Sequence, residues 1–325
     1  MKNCYLKGFF LVSSILVLLY PIPVLSQGDY PNRPIKLLVG HTAGGNTDLG
    51  LRILAESASR VLGQPVVVEN KPGGSSYLAF VTAMSSKPDG YTIAEYSTMK
   101  YDLSVMYDEV PRKVEDASAI GCYWSIVHGV AVKSDAPWKT FKDLVEYARS
   151  HPGTVTYGVP NAGSPPHLAM ILVGKKEKIE WKVVPYKGLA PAVPALLGGH
   201  IMSIAGLAGA HLGQVKAENM KLLAVTGGHR LPGYPDVPTL KDLGYDIEVA
   251  FDIGLVSPKG IDSPIFQKLE DAFASAAKDP KFIKFVNDNN MILSYMNGKQ
   301  YTQYLKQNYE VRAPLLRELG LAYKK

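Results

Sequence analysis

Nine consecutive residues, Gly40-His41-Thr42-Ala43-Gly44-Gly45-Asn46-Thr47-Asp48, carry the strongest chemical signal in the sequence. They follow a short apolar run and precede apolar residues at helical spacing, so they join a strand to a helix. The G-x-x-x-x-G-x-T spacing resembles a phosphate loop, but Asn46 stands where such a loop has its lysine, which excludes a nucleoside triphosphatase. The physics of the loop remains. Glycines let successive N–H groups turn inward, and a helix N-terminus adds about half a positive charge. That combination holds a small anion, such as a carboxylate, without a charged side chain. Asp48, or Thr47 before it, is placed to cap the helix, its side-chain oxygen accepting from backbone N–H groups. The same pattern also fits an ordinary tight turn.

A second loop, Asn161-Ala162-Gly163-Ser164-Pro165-Pro166-His167, again lies between a strand and a helix. Ser164 reads as the N-cap, with Pro165 at the first helical position. Two such turns, each at the carboxyl ends of its own strands, would form a two-jawed anion clamp. His167 either reaches a ligand or bonds locally in the first helical turn. The cleft wall is expected to include His41, Ser97, Tyr186 and Gly206.

Enzyme signatures are missing. The sequence has no G-x-S-x-G elbow, no H-E-x-x-H and no G-x-G-x-x-G after a strand, and its seven histidines form no i,i+4 pair on a helix. No metal, cofactor or catalytic residue is therefore expected. A hydrolase using the same cleft would need Ser164 paired with His167 or His41, and no third orienting group accompanies them.

These loops require strands and helices to hold them. Residues 35–39, 66–69 and 91–95 read as strands alternating with helices over 49–62 and 77–85, a βαβαβ unit. The alternation restarts after Gly129, with strands at 130–133, 155–159, 181–184 and 222–225 and a helix at 141–150. The end is largely helical: 264–277, 280–287 and 300–319. The expected fold is α/β and two-lobed, each lobe a mostly parallel sheet flanked by helices, with the cleft between them. The first lobe takes residues 27–127 and regains 250–325; the second takes 128–249.

Composition agrees with a folded, exported chain. Its 325 residues are 46% apolar and 20% charged, which excludes wholesale disorder. A formal charge of +6 with no long basic block argues against a nucleic-acid binder. Lys2 and Lys7, an apolar run from Phe9 to Leu19, Pro21 and Pro23, and then Ser26 form a secretory signal peptide over 1–26, expected to be cleaved after Ser26. That run falls short of the ~20 apolar residues a spanning helix needs. Cleavage leaves Cys122 as the lone cysteine, expected to be a buried small hydrophobe.

An ordered series of motifs resembles the periplasmic receptors of tripartite tricarboxylate transporters, also called the Bug family. It runs through Tyr30-Pro31, Ala43-Gly44-Gly45 with Thr47-Asp48, Gly63-Gln64-Pro65, Pro88-Asp89-Gly90-Tyr91, and Gly163-Ser164-Pro165-Pro166-His167. Val184-Pro185-Tyr186-Lys187-Gly188, Leu196-Leu197-Gly198-Gly199 and Pro235-Asp236-Val237-Pro238-Thr239 continue it. The resemblance implies a type II periplasmic-binding-protein-like fold, hinged near 127–132 and 249–255, that closes on a small organic carboxylate. It implies that residues 42–48 and 161–167 hold the carboxylate, largely through backbone amides and bridging water. Delivery to a large and a small membrane permease subunit is implied as well, with the receptor acting as a monomer. Presentation of the ligand to a membrane sensor is an alternative. Two departures stand out: Gly40-His41 replaces the family's proline and aromatic, and His200-Ile201-Met202 replaces its acidic residue after the Gly-Gly turn.

Overall fold

The computed structural model describes residues 30–73, 76–98 and 114–321; the signal peptide expected over 1–26 lies outside them. The chain begins with β1 (Ile35–Val39), α1 (Asn46–Leu62), β2 (Val66–Asn70), α2 (Tyr77–Met84) and β3 (Thr92–Tyr96). The 10-residue β4 (Ala117–Ile126) then leads through residues 127–128 into β5 (Gly129–Lys133). Next come α3 (Phe141–Ser150), β6 (Thr156–Val159), α4 (Pro165–Glu177), β7 (Lys182–Pro185) and α5 (Ala192–Leu197). β8 (Ser203–Leu207), α6 (Gly213–Lys216) and β9 (Met220–Val225) follow. The chain ends with β10 (Phe251–Pro258), α7 (Ser263–Ala276), α8 (Pro280–Asp288), β11 (Ile292–Asn297) and α9 (Gly298–Glu318).

Two sheets result. The first has the order β11-β4-β10-β3-β1-β2, and the second β7-β6-β8-β5-β9. β1 pairs in parallel with β2 and β3, while β10 runs antiparallel between β3 and β4. In the second sheet β6 is parallel to β7 and β8, and β5 is antiparallel to β8 and β9. β10 returns to the first sheet after the excursion through the second, so the fold is the expected two-lobed α/β architecture. Both sheets are mixed rather than mostly parallel, because the strands that cross between lobes and β11 run antiparallel to their neighbours.

Each sheet is covered on both faces, which suits strands apolar on both sides. In the first lobe Leu37 and Val39 face a core shared with Leu51, Leu54, Ala55 and Ala58 of α1 and with Phe273 and Phe282 of α7 and α8. Their i, i+3, i+4, i+7 spacing is what makes α1 an amphipathic helix. Gly63 ends it in the left-handed conformation, its N–H returning to Ser59 O. On the other face, Leu38, Ala94, Tyr96 and Cys122 pack with Phe80 of α2 and with Tyr301 and Leu305 of α9. The second lobe repeats the arrangement around Val130, Val132, Tyr157 and Val159, against Phe141 and Leu144 of α3 and Met170 and Val173 of α4.

Four strands went unread in the sequence: β4, β8, β10 and β11. β4 and β10 mix Ser, Gly and Asp with apolar residues, so neither the alternating nor the continuous apolar signature is clean. Cys122 is buried with its thiol pushed well up by burial, as expected of an inert core residue. Met202 packs against the second core.

Candidate functional site

The first loop lies at the carboxyl end of β1. Helix α1 begins at Asn46 with Gly45 as N-cap, so the expectation of a cap at Asp48 or Thr47 is corrected by two or three residues. Asp48 is instead the third helical residue, and it reaches back: its Oδ2 accepts from the Gly44 N–H at 2.8 Å. The Arg52 Nε lies 3.0 Å from both carboxylate oxygens, and Asn70 Nδ2 donates to Oδ1 at 2.8 Å. Burial pushes the Asp48 carboxyl up, but Arg52, the Gly44 amide and Asn70 together bring it below the usual value. The same Asn70 amide donates to His41 O at 3.0 Å, so the end of β2 ties down both ends of the loop.

With Asp48 satisfied locally, the first turn of α1 keeps its donors. The first intrahelical bond is Leu49 N to Gly45 O, leaving the N–H groups of Asn46, Thr47 and Asp48 ahead of it. Thr42, Ala43, Gly44 and Gly45 are exposed, Asn46 is half-buried and Thr47 is buried. The Asn46 side-chain Nδ2 comes within 3.5 Å of where a Cβ on Gly209, just beyond β8 in the second lobe, would stand.

His41 is held on two sides. Its Nε2 lies 3.7 Å from the fully buried Glu95 carboxylate of β3, and its ring meets Phe251 of β10 edge-on at 6.1 Å. Glu95 also accepts from the Gly40 N–H at 3.4 Å. A Cβ on Gly40 would sit 2.4 Å from Ser76 O, so any side chain at this position is excluded by the backbone ahead of α2.

The second loop is built differently. Ser164 occupies the N-cap position of α4, with Pro165 first in the helix, but its side chain makes no cap bond; Ser164 Oγ donates to Asn161 O at 2.7 Å. His167 Nδ1 accepts the Gly163 N–H at 2.9 Å, a local bond within the first helical turn. Burial lowers the His167 pKa and favours this neutral acceptor. The Ser164–His167 pair of the hydrolase reading is not hydrogen-bonded; each group has a different partner. Gly163, at φ 75°, faces Leu316 and Leu321 at the C-terminal end of the chain. With Pro165 and Pro166 lacking N–H groups, the first turn of α4 offers fewer backbone donors than that of α1.

The remaining candidates lie at or just beyond the ends of β3, β6 and β7, or within β8. Ser97 is buried at the end of β3, beside Thr98. Tyr186 follows β7 and its ring lies over Gly158, while Gly206 in β8 packs beneath Pro160, Pro166 and Leu189. Asn161 is exposed and Ala162 half-buried. Arg52, Asn70, Glu95 and Phe251 were not singled out from sequence: the i,i+4 spacing of Asp48 and Arg52 was the available signal for Arg52, whereas Asn70, Glu95 and Phe251 act through contacts distant in the chain. Among the described residues no three His, Cys, Asp or Glu side chains gather as a metal set.

Residues 51–321 match the family described as "Tripartite tricarboxylate transporter family receptor". The chain belongs to that family. A Cupriavidus necator relative, "UPF0065 protein in gbd 5'region", is 39% identical over 302 residues, 93% of this chain and 92% of that protein. The fold is similar to a ligand-free crystal structure of a TctC solute binding protein from Polaromonas, with TM-score 0.81, 30% identity, and coverage of 89% of this chain and 99% of that one. It is also similar to an R. palustris protein solved with adipate, with TM-score 0.72, 25% identity and coverage of 90% and 99%. The receptor is thus a member of a family of periplasmic solute-binding proteins, and among its described residues no helix is long and apolar enough to cross a membrane.

Proposed function

We propose that this receptor captures a small organic carboxylate at the first turn of α1 and passes it to the membrane subunits of a tripartite transporter. The observation that carries the reading is the set of amides at Asn46, Thr47 and Asp48, ahead of the first intrahelical bond and beside an Asp48 already neutralised by Arg52, Asn70 and Gly44. A carboxylate placed there meets the positive end of the helix and displaces no internal partner. The adipate held by the R. palustris relative is a ligand of this class. The second lobe closes over it from residues 160–167, Tyr186 and 206–209, pivoting near 127–128 and 249–250. Export is directed by the signal peptide over 1–26, with cleavage after Ser26. A ligand that contacts both lobes only when they are shut favours the shut state.

The test is a thermal-shift panel of adipate, malate, glutamate, benzoate and citrate. A true ligand at ~100 times its dissociation constant adds ~2.7 kcal/mol of stability. Folded protein with no shift across this panel and its chain-length homologues would sink the reading.

A further inference from the structure

From the course of α9 we infer that Arg312 and Leu316 are positioning residues for ligand capture, tying the two ligand-bearing segments to each other; the inference rests on the receptor reading above. The first half of α9 belongs to the first lobe. Asn297 and Gln300 cap it reciprocally, and Tyr301 and Leu305 are buried with Tyr96, Cys122 and Val256. The Tyr301 hydroxyl donates to Asp252, at the start of the returning strand β10. Thr98, one residue past Ser97, donates its hydroxyl to the same carboxylate at 2.7 Å and its N–H at 3.2 Å. Arg312 is 2% exposed, and its Nη1 donates to Thr98 Oγ1 at 3.2 Å. Helix, hinge strand and the end of β3 therefore share one buried polar cluster.

One turn later the helix is in the other lobe. Ala313, Leu315 and Leu316 pack on Leu168 of α4, with Ile171 and Leu172 beside them. Leu316 and Leu321 fill the underside of Gly163, and Glu318 pairs with Lys175 at the surface. Pro314 stands between the two halves, where it removes a helical hydrogen bond. The lobes are thus joined by the two chain crossings near 127–128 and 249–250 and, beside them, by a packed helix. Any opening that draws residues 161–167 away from residues 97–98 must bend α9 or lift Leu316 from Leu168.

The test uses the full mature chain with Val61→Cys on α1 and Lys142→Cys on α3, both exposed, carrying spin labels; the thiol of Cys122 stays buried. Pulsed dipolar spectroscopy without ligand reads the distance between lobes. The starting protein should give a narrow distribution, Leu316→Ala a broader one with a longer mean, and Leu316→Met a narrow one again. Arg312→Leu should also broaden it; if that variant does not fold, the Leu316 pair decides. A folded Leu316→Ala protein with an unchanged distribution overturns the inference. Because no ligand enters this measurement, an unresponsive acid panel would refute the receptor reading without altering the distances.

Discussion

His167 Nδ1 accepts the Gly163 amide at 2.9 Å, and that bond makes the two ligand loops unequal. A turn whose glycine N–H is already taken, followed by two prolines, has little left to offer an anion. The first loop spends its own carboxylate on Gly44 and keeps the helix amides. On the proposed reading, the ligand's charge falls to the first lobe and its shape to the second.

Gly45 and Gly163 should respond to substitution in opposite ways. Gly45 has an ordinary φ of −77° and only Thr42 O near its missing Cβ, so Gly45→Leu should fold normally and project into the cleft. Leucine is a poor N-cap, so stability should drop by up to about 1 kcal/mol, while the acid-induced shift disappears altogether. Gly163→Ala should instead lose about 1–2 kcal/mol, from a left-handed φ and from overlap with Leu321. Urea denaturation of both variants separates the two effects.

Acid should destabilise the receptor through its histidines. His128, at the crossing between lobes, has a buried Nδ1 with no hydrogen-bond partner, and burial followed by the nearby Arg312 lowers its pKa to about 4. The unfolded chain, with histidine near ~6.5, binds this proton first, so the stabilisation is complete above that value and is lost as pH falls toward 4. His167 adds to the trend, since its protonation removes the acceptor for Gly163. Melting temperature should fall between pH 7 and 5, and His128→Leu should flatten the slope. An equal slope in that variant would refute the assignment.

Asp48→Ala should cost about 2 kcal/mol, the usual scale for losing hydrogen bonds to a charged group. It frees the Gly44 amide, Arg52 and Asn70 together. The Asp48 contribution is present above ~3.9, the ordinary carboxylate value, and fades as pH drops through its lowered folded value. Chemical denaturation over a falling pH series should show the difference between native and variant chains largest at pH 7 and shrinking once the pH drops below the ordinary carboxylate value.

Gly40→Ala should lose about 1–3 kcal/mol by overpacking, because the new methyl meets the Ser76 backbone. Gly40→Pro should be worse still, since it also removes the N–H that Glu95 accepts. Differential scanning calorimetry would measure both; a proline variant as stable as the native chain would mean that residues 76 and 40 separate readily.

Much of this was legible in the residues themselves. Glycines at 44 and 45 before Asp48, the helical spacing of Leu51, Leu54, Ala55 and Ala58, and the turn at Gly63 are local signals, and local geometry obeys them. Proline at 165 and 166 already announced that the second helix lacks its first amides. Strands β4 and β10 were hidden because their burial comes from two covered faces rather than from a periodic pattern.

The sequence alone determined the alternation of strands and helices, the place of both loops and the family to which the chain belongs, since these depend on neighbours within a few residues. Only tertiary structure decided which amides remain available, that Glu95 lies beneath His41, and that α9 leaves one lobe at Arg312 to pack on Leu168 in the other. Those outcomes depend on pairs far apart in the chain, whose energies appear only once burial has removed water and forced each polar group to find a partner.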